Sequence, residues 1–266
     1  MDWGKYKYFR IQKQDKVGVL TIDHRATENR FDGNLHHELE AIWKDVAADD
    51  DINVAILTGT GDRFLGGIDT GFVAKAVLEH DRSQPGITIE GARRLLYNYL
   101  DVEKPVIAAV NGPAVSLGAS VALFCDIIIA SEKASFSDPH VLWGAVAGDG
   151  GPIIWPLLIG MAKAKQFVLT GDVVPAVEAE RIGLINRVVP HDQLMPAAME
   201  IAQRLANGAT KAIRGTKICF NKRLRQDVNL IFDMALSLEW NTFQGKDYRE
   251  AVRAYSKGET PRFIGR

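Results

Sequence analysis

The run from Lys104 to Gly160 limits the possible folds more than any other part of this chain. It opens with an apolar strand over residues 106–110, which cannot continue through Asn111-Gly112-Pro113 because proline has no N–H to give a sheet ladder. A turn spaced by Ser and Gly follows, then an apolar, helix-like run over residues 119–124. Strand, Gly-bearing turn and helix start together present unpaired backbone N–H groups and a positive dipole end to a ligand. Downstream, His140 and Asp149 stand in otherwise apolar, Gly-rich sequence.

The same succession recurs along the chain. Residues 8–23 alternate and then turn apolar, which predicts a hairpin with Gln14-Asp15-Lys16 near its turn. Asp32 or Asn34 is placed to cap a helix running to about residue 49, with Leu35, Leu39, Ile42, Trp43 and Val46 on one stripe. Residues 54–58 form a short buried strand that enters the Gly-rich loop G-T-G-D-R-F-L-G-G-I-D. Residues 73–101 carry a helical pattern interrupted near Gln84-Pro85-Gly86, and residues 127–130 are a further strand. After Pro156 the pattern turns helical, with one helix closed by Gly171 and another by Gly183, and residues 184–189 make a last strand. From 193 to 255 the chain reads as helix throughout. The repeated strand–helix unit predicts α/β architecture with helices packed outside sheets. It divides the chain into a core over residues 1–200 and a helical assembly region over 201–266.

With 266 residues, 47% hydrophobic and 24% charged, the chain is long and apolar enough to bury a large core. A formal net charge of -1 gives no electrostatic footprint for nucleic acid or an anionic membrane. The basic runs at 211–214 and 222–225 are short and read as solvated helix faces. Cys125 and Cys219 both lie in apolar runs, which predicts buried thiols and a reducing, cytoplasmic setting. The N-terminal residues lack the apolar core of a signal peptide, and no apolar run reaches about 18 residues, so no membrane span is expected.

Several ordered motifs resemble the crotonase (enoyl-CoA hydratase/isomerase) superfamily across nearly the whole chain. They are V-A-I-L-T-G-T-G-D-R-F-L-G-G-I-D, K-P-V-I-A-A-V-N-G-P-A-V-S-L-G-A-S-V-A-L-F-C-D, L-T-G-D-V-V-P-A-V-E-A-E-R-I-G-L-I-N-R-V-V and the ending P-R-F-I-G-R. The resemblance implies a spiral of ββα turns and a helical C-terminal region that forms a homotrimer, often a dimer of trimers. It also implies an oxyanion hole made by the backbone N–H groups of Ile68 and Leu117. Fixed donors of that kind stabilise a carbonyl oxygen as it gains charge, and losing one costs about 3 kcal/mol.

The chain departs from hydratase-type members at the two positions where they carry glutamates, which here are Ser120 and His140. A serine cannot do a carboxylate's acid–base work near neutral pH. The run I-D-T-G-F also lacks the lysine that many CoA-binding members carry after the corresponding turn. His140 with Asp149 nine residues on resembles instead the β-diketone hydrolase branch, which includes 6-oxocamphor hydrolase and cleaves a carbon–carbon bond between two carbonyls without CoA. Glu239 in L-S-L-E-W, His36 in N-L-H-H-E-L and the turn A-G-D-G are further matches. That resemblance implies a retro-Claisen hydrolysis of a 1,3-diketone to a keto acid, with no cofactor. In it, neutral His140 takes a proton from water, Asp149 orients the ring, and Ile68 and Leu117 hold the oxyanion.

Phe31, His36, Phe72, Glu90 and Trp143 are the candidates to line the substrate site. Plainer roles stand beside each reading. A lone histidine is often a core residue, Asp149 between glycines suits a turn, and Glu90 suits a helix start. His36 suits a helix surface, and the aromatic residues suit the core. The six histidines make no metal-ligand cluster by spacing. Two further functions compete with diketone cleavage: a CoA-thioester hydratase, isomerase or hydrolase with a substituted site, and a catalytically idle scaffold.

Overall fold

The computed structural model describes residues 1–81, 83 and 85–265. The chain runs β1 (Phe9–Gln14), β2 (Val17–Ile22), α1 (Gly33–Ala48), β3 (Val54–Gly59), β4 (Leu65–Gly66), α2 (Thr70–Leu78) and α3 (Ile89–Leu100). It continues with β5 (Val106–Val110), β6 (Ala114–Val115), α4 (Leu117–Leu123), β7 (Ile127–Ser131), β8 (Ser135–Ser137), α5 (Gly151–Thr170), β9 (Val174–Pro175) and α6 (Ala176–Arg181). It closes with β10 (Arg187–Val189), α7 (Leu194–Ala206), α8 (Thr210–Phe243) and α9 (Lys246–Ser256).

Two sheets share these strands. The larger has the order β1-β2-β3-β5-β7-β10 and the smaller β4-β6-β8-β9. The first turn gives both of its strands to the larger sheet, and the turns that start at β3, β5 and β7 each give one strand to each sheet before their helix, so the expected spiral of ββα turns is the observed one. The hairpin turns at Asp15 and Lys16, both with positive φ (48° and 64°) as a two-residue hairpin turn of matching twist requires. Asp32 caps α1 by accepting from the N–H groups of Asn34 and Leu35, and the stripe Leu35, Leu39, Ile42, Trp43 and Val46 is fully buried. The helical pattern of 73–101 is two helices, α2 and α3; of the expected break between them, Gln84 lies outside the described residues.

Four sequence expectations are corrected. Residue 201 falls inside α7, whose Ala197, Ala198, Ala202 and Ala206 pack on the apolar face of the large sheet, so the core extends beyond 200 and the helical appendage starts at α8. The last strand is only Arg187–Val189, because Asn186 spends its side chain on the Ile128 N–H and its own N–H on the Ile128 carbonyl. Helix α5 begins at Gly151 rather than after Pro156, since Pro152 in its first turn has no N–H to waste. Cys219 is exposed on α8, whereas Cys125 is buried.

By length and composition α5 is apolar enough to cross a membrane. Gly160 (φ 76°, ψ 158°) breaks it into two short helices, each far below the ~20 residues a span needs.

Candidate active site

The smaller sheet brings the site together by register. Val115 of β6 is paired in parallel with Gly66 of β4 on one side and with Ser137 of β8 on the other. The residues just past these three strand ends therefore emerge side by side: Ile68 after β4, Ser116 and Leu117 after β6, and Asp138 and His140 after β8. Each belongs to a different turn of the spiral, which is why no short sequence window holds the site.

The N–H groups of Ile68 and Leu117 have no hydrogen-bond acceptor among the described residues, and both residues line one cavity. The close approach behind them depends on Gly118, where an added Cβ would lie 2.1 Å from the Leu65 carbonyl oxygen. Ser116, at the turn between β6 and α4, has φ 57° and ψ −125°, a conformation that costs a non-Gly residue about 1–3 kcal/mol. Its own N–H is anchored to the Ser137 carbonyl at 2.9 Å.

His140 opens a single 3-10 turn over His140–Trp143. Its Nδ1 lies 2.5 Å from Asp138 Oδ1, and its Nε2 lies 3.1 Å from Ser116 Oγ, 3.4 Å from Glu239 Oε1 and 3.7 Å from Asp149 Oδ2. Asp149 is held from its other oxygen, Oδ1, which accepts from Ser120 Oγ at 3.0 Å. Asp138 is 1% exposed and its second oxygen has no hydrogen-bond partner among the described residues. That oxygen sits where a Cβ on Gly151 would be only 2.0 Å away, at the N-terminus of α5, whose dipole favours a negative charge.

The expectation that Asp149 orients the ring is therefore corrected. Asp138, two residues from the histidine, holds Nδ1, and Asp149 lies on the opposite, cavity-facing edge with Ser116 between. Sequence reading missed both Asp138 and Ser116. The D-P-H spacing was the available signal for the first, since a carboxylate two residues from a histidine can reach back across an intervening proline.

Three carboxylates around one imidazole set the charge state. Burial works against a charge on His140, but the fields of Asp138 and Asp149, the hydrogen bond to Asp138 and the field of Glu239 outweigh it and raise its pKa to about 10. Burial pushes Asp149 up to about 6 against the pull of His140. Burial likewise pushes Glu239 up to about 8, opposed by His140 and reinforced by Asp149 and Asp138. These fields favour the imidazolium form of His140, while burial favours protons on Asp149 and Glu239 and His140 pulls both carboxyl groups back toward ionisation. The same fields disfavour the neutral His140 expected from the sequence.

The cavity has a volume of about 750 Å³. Of the sequence candidates, Phe31, His36, Phe72 and Trp143 line it together with His140, Asp149 and Glu239. His36 is buried rather than on a helix surface, because its Nδ1 is paired with Glu40 Oε1 at 3.0 Å beneath the cavity wall. Burial opposes a charge on Glu40, yet the bonds from His36 and Arg94 hold its pKa below the ordinary carboxylate value. Glu90 does not line the cavity. It is exposed in the first turn of α3, where its charge meets the positive helix end.

Asp138, His140 and Asp149 each offer a ligand atom within 4.8 Å of the others. Both ring nitrogens are already engaged, Nδ1 by Asp138 and Nε2 by Ser116, so the trio does not fit a cation without breaking the bonds that hold it.

The enoyl-CoA hydratase/isomerase family matches residues 12–266. The chain is 33% identical over 251 residues to a short-chain-enoyl-CoA hydratase of Clostridium acetobutylicum, covering 92% of this chain and 93% of that protein. Among solved structures it is similar to an enoyl-CoA hydratase/isomerase from Mycobacterium paratuberculosis, with 32% identity, a TM-score of 0.87 and coverage of 93% and 98% of the two chains. It is also similar to a beta-diketone hydrolase from the cyanobacterium Anabaena, solved bound to (S)-3-oxocyclohexyl acetic acid, with 33% identity, a TM-score of 0.81 and coverage of 90% and 95%. With its two-sheet spiral and paired backbone donors, this chain belongs to the enoyl-CoA hydratase/isomerase family and is an enzyme of the crotonase superfamily.

Proposed function

We propose that the enzyme hydrolyses the carbon–carbon bond of a 1,3-diketone, giving a keto acid when the diketone is cyclic. The observation that carries this reading is the His140 cluster: an imidazole held by Asp138 faces Asp149 and Glu239 in the same cavity as two unpaired backbone donors. The positions at which hydratases of the family carry glutamates are Ser120 and His140. The bound ligand of the Anabaena hydrolase is itself a keto acid, which supports the same product class.

The geometry supports these roles. The Ile68 and Leu117 N–H groups receive the carbonyl oxygen that becomes an oxyanion. Ionised Asp149 is the base for the attacking oxygen, and water supplies the oxygen of the new carboxylate. The His140 imidazolium gives its Nε2 proton to the carbon of the departing enolate, and Asp138 keeps the ring in place throughout. Protonated Glu239, at 3.4 Å from Nε2, donates to the second carbonyl.

A second reading is favoured by the relatives named as enoyl-CoA hydratases: Asp149 and Glu239 flank His140 and offer two carboxyl groups for a hydration. The two readings separate by incubating the enzyme with cyclic and linear 1,3-diketones while following loss of enolate absorbance, and in parallel with an enoyl-CoA. Turnover of the thioester alone would overturn the diketone reading.

A homotrimer or dimer of trimers is proposed as the assembly. Exposed apolar side chains on α8 (Phe220, Leu230 and Met234, 60–76% exposed) support a surface covered by another copy. Light scattering giving a mass of one 29.3 kDa chain would refute it.

A further inference from the structure

Ser116, His140 and Asp138 stand in the order of a serine-hydrolase triad. Ser116 Oγ lies 3.1 Å from His140 Nε2, and His140 Nδ1 lies 2.5 Å from Asp138 Oδ1. The serine sits on a sharp strand-to-helix turn, between β6 and α4, at φ 57° and ψ −125°. The local sequence A-V-S-L-G places a small residue two before the serine and a glycine two after it, the spacing of a nucleophile elbow. In such an elbow the residue after the nucleophile gives one oxyanion donor and a neighbouring loop gives the other. Leu117 and Ile68 stand in those two places, with N–H groups that have no acceptor among the described residues. Ser116 itself lines the cavity, and Asp138 is buried behind the ring.

We infer that Ser116 is a covalent nucleophile, so that the site works through an acyl-enzyme and also hydrolyses simple carboxylic esters. For the diketone the inference rests on the reading above; for esters it stands without it. Ser116 Oγ gives its proton to Asp149 Oδ2, 3.5 Å away, and its oxygen bonds to the carbonyl carbon. The oxyanion collapses, the carbon–carbon bond breaks, and the enolate carbon takes the Nε2 proton of His140. Ser116 now carries an acyl ester. Neutral His140 takes a proton from water, the hydroxide attacks the ester, and the Ser116 oxygen leaves with the proton held on Asp149. One diketone and one water give one carboxylic acid and one ketone, and every group returns to its starting state. With an ester, the alkoxide leaves in place of the enolate and takes the same proton.

The test uses an alkyl fluorophosphonate and p-nitrophenyl butyrate, neither of which is a diketone. The expected result is one phosphonyl adduct per chain by intact mass, mapped to Ser116, and a burst of p-nitrophenol approaching one equivalent. Ser116→Ala and Ser116→Gly should lose both, and Asp149→Asn, which removes the base that takes the Ser116 proton, should slow labelling by about 10²–10⁴-fold. Ser116→Gly also relieves the positive φ, so its melting temperature should equal or exceed that of the wild type. That variant keeps loss of the adduct from being a folding artefact. No adduct on the wild type, an adduct on Ser120 or elsewhere, or labelling that persists in Ser116→Gly overturns the inference. Labelling at Ser116 without turnover of any diketone leaves it standing and refutes the diketone reading; diketone turnover that survives in Ser116→Gly does the reverse.

Discussion

His140 Nδ1 lies 2.5 Å from Asp138 Oδ1, and both residues follow β8 directly. The ring is thus fixed by a carboxylate on its own loop, while the cavity-facing Nε2 is left to the chemistry. Asp138→Asn keeps the shape but removes the negative charge that favours the His140 imidazolium. Its kcat on a diketone should fall about 10³–10⁴-fold with KM little changed. Steady-state kinetics on purified variants check this, and an equal loss in Asp149→Asn with none in Asp138→Asn would return the orienting role to Asp149.

Activity should follow a bell in pH. It rises as Asp149 ionises, with an apparent value near 6, and falls as the cluster loses the protons of Glu239 and then His140, near 8 and 10. These apparent values belong to the cluster as a whole. A kcat/KM profile between pH 5 and 10 with buffers of constant ionic strength measures both limbs.

Stability should decline over the same range. His140, Asp149 and Glu239 all have folded pKa values above their ordinary ones, so the folded state binds more protons than the unfolded chain. The stabilisation from His140 is complete below about pH 6.5 and is lost as pH rises through about 10. That from the two carboxyl groups is complete below about pH 4 and is lost through about 6 and 8. Thermal melts from pH 6 to 10 should show a falling midpoint, and His140→Ala should flatten the alkaline part.

Gly118→Ala should damage both fold and catalysis. Its Cβ would meet the Leu65 carbonyl oxygen at 2.1 Å, and backbone on both sides must then separate the two oxyanion loops. Overpacking of this kind costs about 1–3 kcal/mol, which urea unfolding measures, while kcat should fall about 10²-fold with the misplaced donors.

Lys217→Met tests how α8, which carries Glu239, is docked. The buried ammonium donates to the Lys104 carbonyl at 2.8 Å and pairs with Asp126 Oδ2 at 2.7 Å. Asp126 is partly exposed, so the loss should sit near the low end of the range for a broken buried pair, about 3 kcal/mol. Chemical denaturation reads the loss, and a parallel drop in activity reads the displacement of Glu239.

Local signals in the chain carried the elements well. The α1 stripe, the hairpin turn at Asp15 and Lys16 and the closing glycines 171 and 183 each follow from a propensity or a period that a few residues are enough to state. The backbone donors at Ile68 and Leu117 were reached through family likeness, and their loops lie together because Gly66 is registered with Val115. What escaped was the wiring of side chains. Ser116 and His140 meet across β6 and β8, and nothing in either local sequence states that register. Glu90 failed for the opposite reason: a residue suited to a helix start was offered a second duty, and its exposed place in α3 gives it only the first.

The two oxyanion donors are main-chain groups, and this bears on how such a site changes over generations. Exchanging the side chain of Ile68 or Leu117 alters the cavity wall but leaves an N–H in place; only proline removes it. At positions 68 and 117 themselves the charge-stabilising half of the site is therefore sheltered from every exchange but proline, with Gly118 behind them the position that must hold, whereas the chemistry carried by the side chains at 120, 140 and 149 changes with each substitution. A lineage built on this backbone can lose one reaction and acquire another without ever passing through an ancestor that lacked the means to hold an oxyanion.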